Sequence, residues 1–165
     1  MKIFISAQNL NNQCLSIKLL FDEQTPKKLS LPTWRPGRYE LQNFSQNLTK
    51  IEFRDNGKTF EAKRINLHTW ETSNLDGKLE VSYKYFANQM DAGSSWLDEK
   101  QAYINFVNCI LQPIGCENEA IEIEFDFPDF TQFATALAPV NSYTLKAAHY
   151  YHLVDSPVIH SASIQ

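Results

Sequence analysis

Three stretches of strict two-residue alternation limit this chain more than any other feature. Leu15, Ile17, Leu19 and Phe21 fall on one side of the first stretch, with Ser16 and Lys18 on the other. Leu79, Val81, Tyr83 and Tyr85 form the second, and Ile121, Ile123, Phe125 and Phe127 the third. Successive side chains of an extended strand point to opposite faces, so each stretch reads as a strand with one buried face. Residues 2–6, 48–53, 59–65, 67–71 and 102–107 are further candidate strands. Asn56-Gly57 separates two of them and is the strongest hairpin signal, because glycine accepts positive φ. Asp76-Gly77 plays the same part before the stretch that begins at Lys78. Strands at short spacing with turns between them predict an all-β fold, mainly antiparallel, with two sheets packed as a β-sandwich.

Helical signals are few. Leu41, Phe44 and Leu48 have helical spacing, and residues 142–153 suit a short helix closed by Asp155-Ser156-Pro157. One or two short helices are therefore expected. With 165 residues the chain can bury roughly 70% of its unfolded surface, so it needs no disulfide or metal to hold a core. No repeat or Pro- or Ser-rich linker divides it, and residues 1–165 read as one domain.

Charge excludes one large class of partner. There are 15 Lys and Arg against 19 Asp and Glu, and no basic run is longer than Lys27-Lys28, so nucleic acid is not expected. Glu119, Glu122, Glu124 and Asp126 alternate with apolar residues and read as the wet face of a strand. The N-terminal Met1-Lys2-Ile3-Phe4-Ile5-Ser6 turns polar at Gln8-Asn9, short of a signal-peptide core, and no apolar stretch reaches the ~18 residues of a membrane span. A cytoplasmic protein with no membrane partner is the expectation. Cys14, Cys109 and Cys116 show no Cys-x-x-Cys spacing; a Cys109–Cys116 disulfide stays open beside the preferred reading of free thiols.

The chain lacks the usual catalytic signatures. A zinc peptidase helix carries His-Glu-x-x-His, which sets two imidazoles on one face and a glutamate beside the metal-bound water. None of His68, His149, His152 and His160 is followed by Glu. His149 and His152 are three apart, with Asp155 as a weak third ligand, and read as a partly solvated surface pair. No Gly-rich phosphate loop or Gly-x-Ser-x-Gly elbow occurs. A dispersed Ser-His-Asp or Cys-His site draws on residues far apart in the chain, and no segment points to one. No catalytic residue and no metal ligand is assigned.

Two segments stand out. In Leu31-Pro32-Thr33-Trp34-Arg35-Pro36-Gly37-Arg38-Tyr39, Pro36-Gly37 suits a type II turn that Trp34 and Tyr39 could clamp. A structural corner with Trp34 in packed surroundings is expected there. The other segment, residues 88–99, is a polar loop between strands with one tryptophan in it. Asp91, Trp96 and Asp98 are its candidates for a substrate rim or a contact between domains, the alternative being a solvated hairpin tip.

These segments and the C-terminus carry a family resemblance. Residues 31–39 resemble the Leu-Pro-x-Trp-x-Pro-Gly-x-Tyr signature of the N-terminal domain of the glycyl-aminopeptidase family, metallopeptidase family sixty-one, whose members often end in a PDZ domain. Trp70, Val81-Ser82-Tyr83 and Ser94-Ser95-Trp96-Leu97-Asp98 are similar to later parts of that domain. Tyr150-Tyr151-His152-Leu153-Val154-Asp155-Ser156-Pro157 resembles its Asp-Tyr-x-x-Leu-Val-Asp-Ser-Pro boundary motif, which takes in Asp155 and Pro157. His149 and His152 stand where acidic residues are common, and Trp96 replaces a tyrosine. The resemblance implies a non-catalytic domain that packs against a zinc-dependent aminopeptidase domain of the same polypeptide. That domain would follow Pro157 and would hold the zinc; this chain would hold no cofactor. Its role would be to help form the side of the cleft through which peptide substrate enters. A free-standing β-sandwich module that binds peptide or carbohydrate on an aromatic face is the alternative.

Overall fold

The structure, a computed structural model, describes every residue except 23, 35–40, 73, 74, 76, 92 and 165. β1 (Lys2–Ser6) and β2 (Cys14–Phe21) lead into β3 (Lys28–Ser30), β4 (Leu48–Asp55) and β5 (Lys58–Phe60). β6 (Lys63–Arg64) and β7 (Thr69–Glu71) are short, and β8 (Leu79–Phe86) is long. β9 (Trp96–Leu97) and β10 (Gln101–Ile104) precede helix α1 (Phe106–Cys109) and β11 (Gln112–Ile114). β12 (Ile121–Asp126), β13 (Gln132–Thr135), β14 (Ala138–Asn141) and β15 (Thr144–Ala147) lead to helix α2 (Tyr150–Val154) and β16 (Val158–Ser161).

The strands form an eight-stranded sheet in the order β14-β15-β12-β1-β2-β8-β4-β5 and two four-stranded sheets, β13-β16-β10-β9 and β11-β3-β7-β6. β1 and β12 run parallel, while the other ladders among the described residues are antiparallel. The all-β, mainly antiparallel expectation holds.

Alternation sets the register of the large sheet. Leu15 lies opposite Tyr85, Ile17 opposite Tyr83 and Leu19 opposite Val81, and all six are buried. Sliding β2 by one residue would put Ser16 and Lys18 into that face, so burial itself fixes the pairing. In β12, Ile121, Ile123 and Phe125 are buried while Glu122, Glu124 and Asp126 are exposed. All three sheets feed one core: Leu29 and Trp70 from the second small sheet and Ala102, Ile104 and Val158 from the first join the same buried cluster. At the β4–β5 turn Asn56 has φ 46° and Gly57 φ 79°, the paired positive angles of a type I′ hairpin.

Two local expectations are corrected. The candidate strand at 102–107 ends at Ile104, and Phe106–Cys109 turns as helix α1. Residues 104 to 111 are all buried, and an apolar run without a period does not distinguish strand from helix. The candidate helix at 142–153 begins instead as β15, whose Leu145 pairs with Ile123; helix starts only at Tyr150. Its end is where Asp155-Ser156-Pro157 predicts: the Asp155 N–H reaches Tyr151 O at 3.1 Å and the Ser156 N–H reaches Leu153 O at 3.1 Å. Around Leu41, Phe44 and Leu48 the helical signal is a 3-10 turn, Phe44–Asn47. Asp76 lies outside the described residues.

Candidate functional site

The 88–99 segment is built from the end of β8. The Ala87 N–H donates to Gln13 O at 2.7 Å, and the Leu97 N–H donates to Ala87 O at 2.9 Å. Asn88 bridges Trp96, so the segment leaves and returns at one place. Its two carboxylates shape it from within. Asp91 Oδ1 accepts the Gly93 N–H at 2.8 Å and the Ser94 hydroxyl at 3.0 Å, and its Oδ2 accepts Gln89 Nε2 at 3.1 Å. Asp98 Oδ1 accepts the amides of Lys100 and Gln101 at 2.8 and 2.9 Å, and its Oδ2 accepts the indole N–H of Trp96 at 2.9 Å. Partial burial would raise the Asp98 carboxyl, but the indole and the two amides outweigh it and hold it below the usual carboxylate range.

Asp91, Trp96 and Asp98 thus come together, with Trp96 and Asp98 bonded to each other. Both carboxylates act as turn anchors, with their oxygens directed at neighbouring N–H and O–H groups. Asn88, Gln89, Met90 and Glu99 are exposed, and among them Met90 is the large apolar side chain, 62% exposed, with Phe86 exposed at the end of β8 just before the segment. A shallow cleft of about 240 Å³ lies between the 3-10 turn Leu10–Asn12 and Asp98, Glu99 and Lys100.

Sequence reasoning missed two asparagines. Asn105 Nδ2 and Asn108 Nδ2 both donate to the Gly93 carbonyl, at 3.2 and 2.8 Å, and both residues are buried. They lie within an otherwise apolar run that reads simply as core. Two polar residues placed in that run are the only signal that could have found them.

The other singled-out residues fare differently. Trp34 is 55% exposed, which overturns the expectation that it packs into a core; of its neighbours in the motif only Leu31, Pro32 and Thr33 are described, and Leu31 takes the buried position. Pro36, Gly37 and Tyr39 lie outside the described residues. Trp70 is buried, with the Arg64 guanidinium 5.3 Å from its ring centre. Asp155 is exposed and Pro157 half-buried at the close of α2.

His149 and His152 do not fit a metal. Nδ1 of His149 accepts the His152 N–H at 3.1 Å, and Nδ1 of His152 accepts the Ala148 N–H at 3.1 Å. Both Nδ1 lone pairs are therefore taken up by backbone N–H groups. Among the described residues no group of three or more His, Cys, Asp and Glu is arranged to hold a metal ion. Cys14, Cys109 and Cys116 are free thiols; burial pushes the Cys109 thiol up, and burial with Glu119 and Glu117 does the same to Cys116. His160 is buried against Phe125, Phe127 and Phe133, its Nε2 has no partner, and burial pulls its pKa down to about 4.

The profile of the Peptidase M61 N-terminal domain family matches residues 2–162. The chain belongs to that family. This M61 N-terminal domain also shares its fold with a protein of Idiomarina loihiensis whose crystal structure is described as that of an aminopeptidase N family protein. The two are 22% identical at a TM-score of 0.87, over 97% of this chain and 29% of the other, so this domain spans less than a third of that protein. Native yeast LTA4 hydrolase matches at 6% identity and a TM-score of 0.43, over 97% of this domain and 28% of its own length. None of the curated proteins matches. Among the described residues no helix is long and apolar enough to cross a membrane.

Proposed function

We propose that this domain is a non-catalytic part of a zinc-dependent aminopeptidase, packed against the catalytic domain of the same polypeptide. The 88–99 segment faces that domain beside the substrate entrance, and Asp91, Trp96 and Asp98 give it its shape there. Family membership over residues 2–162 carries this reading. The zinc belongs to the catalytic domain, where it would polarise the scissile carbonyl and activate water. The preformed segment supports the local part: its carboxylates are satisfied internally, and it leaves Met90 outward with Phe86 nearby. A charged peptide terminus meets no free carboxylate at Asp98, so an apolar contact suits this surface better than an ion pair.

Kinetics of the full-length enzyme test the reading. Trp96→Ala and Met90→Ala should raise KM or weaken docking between the domains while kcat holds, because they remove binding surface and no reacting group. Wild-type KM and docking in both variants would assign the segment to solvent.

The alternative of an aromatic binding face loses Trp70, which is buried, and keeps Trp34, which is exposed.

A further inference from the structure

The Gly93 carbonyl receives two buried side-chain amides, and each of them gives something up to reach it. Asn105 holds the N-cap position of α1 with extended backbone, φ −96° and ψ 103°. An asparagine there ordinarily turns its oxygen onto a first-turn amide. Asn105 makes no such bond and donates to Gly93 O instead. Asn108 is fully buried, and its Oδ1 has no partner while its Nδ2 donates to Gly93 O. An unpaired buried acceptor is destabilising, and an apolar residue of similar size would avoid it. Neither arrangement is what packing alone would select.

The clamp is tied to the core rather than to the surface. Ser95 Oγ accepts the Asn105 N–H at 3.1 Å, which stitches the returning limb of the segment to the same residue. Below it, Tyr83 of β8 donates its hydroxyl to Cys109 O at 2.7 Å, and Tyr150 of α2 donates to Ile110 O at 2.9 Å. α1 is therefore held from two sides and serves as a fixed mount. Inside the low-dielectric core each of these hydrogen bonds is stronger than it would be in water, and each requires a particular atom at a particular place.

We infer that Asn105 and Asn108 are positioning residues that act through the Gly93 carbonyl to fix where Met90 and Trp96 stand at the face toward the catalytic domain. The inference rests on the proposed place of the 88–99 segment beside the substrate entrance.

The test uses the full-length enzyme with Asn108→Leu, which removes the donor and the unpaired oxygen together. Asn105→Ala serves if the first variant does not fold. Thr72→Val, which deletes a buried hydroxyl bond to Pro26 O away from the clamp, is the control for a merely structural loss. Amide exchange over residues 89–95 should quicken at least tenfold in either asparagine variant, and KM for glycyl and alanyl anilides should rise at least threefold with kcat within twofold. The control should change neither. Unchanged exchange would overturn the clamp itself. Faster exchange with unchanged KM would overturn the positioning role; Met90→Ala in the same assay separates the two readings, since a raised KM there keeps the place given to the segment and an unchanged KM removes that place as well.

Discussion

The β2–β8 ladder is made of backbone bonds that any residue can supply, and the side chains of Leu15, Ile17 and Leu19 add only buried area to it. Gly93, Ser95, Asn105 and Asn108 hold the 88–108 corner by bonds that each need a particular atom at a particular angle. The two regions lie next to each other, since β8 runs straight into the corner. The first tolerates any apolar side chain of the right volume. The second tolerates little, and this is the difference expected between a region that stabilises a domain and one that presents a surface.

The comparison breaks first if the sheet is not where the stability lies. Leu15→Ala, at a position with no exposure, should cost about 2–5 kcal/mol, the range for emptying a packed leucine site. Urea unfolding measures it directly. A loss under ~1 kcal/mol would mean that the large sheet is less tightly packed than its burial implies.

His160 of β16 sharpens the contrast from elsewhere in the same core, because it is a polar group buried among Phe125, Phe127 and Phe133 with no bond to Nε2. Its pKa is about 4 in the fold against an ordinary 6.5. Above 6.5 the ring is neutral whether the chain is folded or not, so the stability is fully present. As pH falls from 6.5 to 4 the unfolded chain takes up the proton first, and about 3 kcal/mol should be lost. Unfolding curves at pH 7, 5.5 and 4 should show this slope, and His160→Leu should flatten it. A slope equal in the variant would assign the loss to other groups.

A smaller effect is expected at the corner. Asp98→Ala removes the acceptor for two amides and an indole and should cost about 1–2 kcal/mol, in the range of a lost side-chain cap. Because the Asp98 carboxyl sits below its usual range, this contribution is present at neutral pH and lost as pH falls through the acid range below 3.8. Thermal melts at pH 7 and pH 3 of parent and variant check both size and direction. A variant as stable as the parent at pH 7 would remove the case for directed bonds there.

The smallest effect belongs to Trp34. At 55% exposure its replacement by alanine should change the stability of this domain by less than ~0.5 kcal/mol. A calorimetric shift of several degrees would restore it to the core.

What the sequence disclosed follows the same division. Strands with one buried face print their period on the sequence, and β1, β2, β8 and β12 could be read there to within a residue or two. The hairpin at Asn56-Gly57 was equally plain, because positive φ at both central positions narrows the choice of residues. The run from Ile104 to Leu111 is buried on every side, so it has no period and gave no sign that α1 interrupts it. β15 was hidden because pairing with β12 decides its conformation, and that partner is more than twenty residues away. The candidate segment was found by its length and its lone tryptophan. The roles of its carboxylates were not, since an aspartate that caps its own turn and one that meets a ligand look alike in sequence. Asn105 and Asn108 showed only as two polar residues in an apolar run, because hydrogen bonds to a carbonyl more than ten residues away add nothing further to the local pattern.

The parallel pairing of β1 with β12 has a consequence for biosynthesis. β1 is flanked by β2 on one edge and β12 on the other, with Ile3 opposite Ile123 and the Met1 amine on Ala120 O at 3.0 Å. A ribosome delivering roughly 5–20 residues per second would make β12 about 5–20 s after β2. Throughout that interval β1 has only β2 to pair with, a marginal arrangement in water, and its other edge and the side chains of Ile3 and Ile5 lack their partner. An unpaired strand edge of this kind is a template for other chains. Slowing of translation before residue 121 would lengthen the exposure of that edge and should lower the yield of this domain.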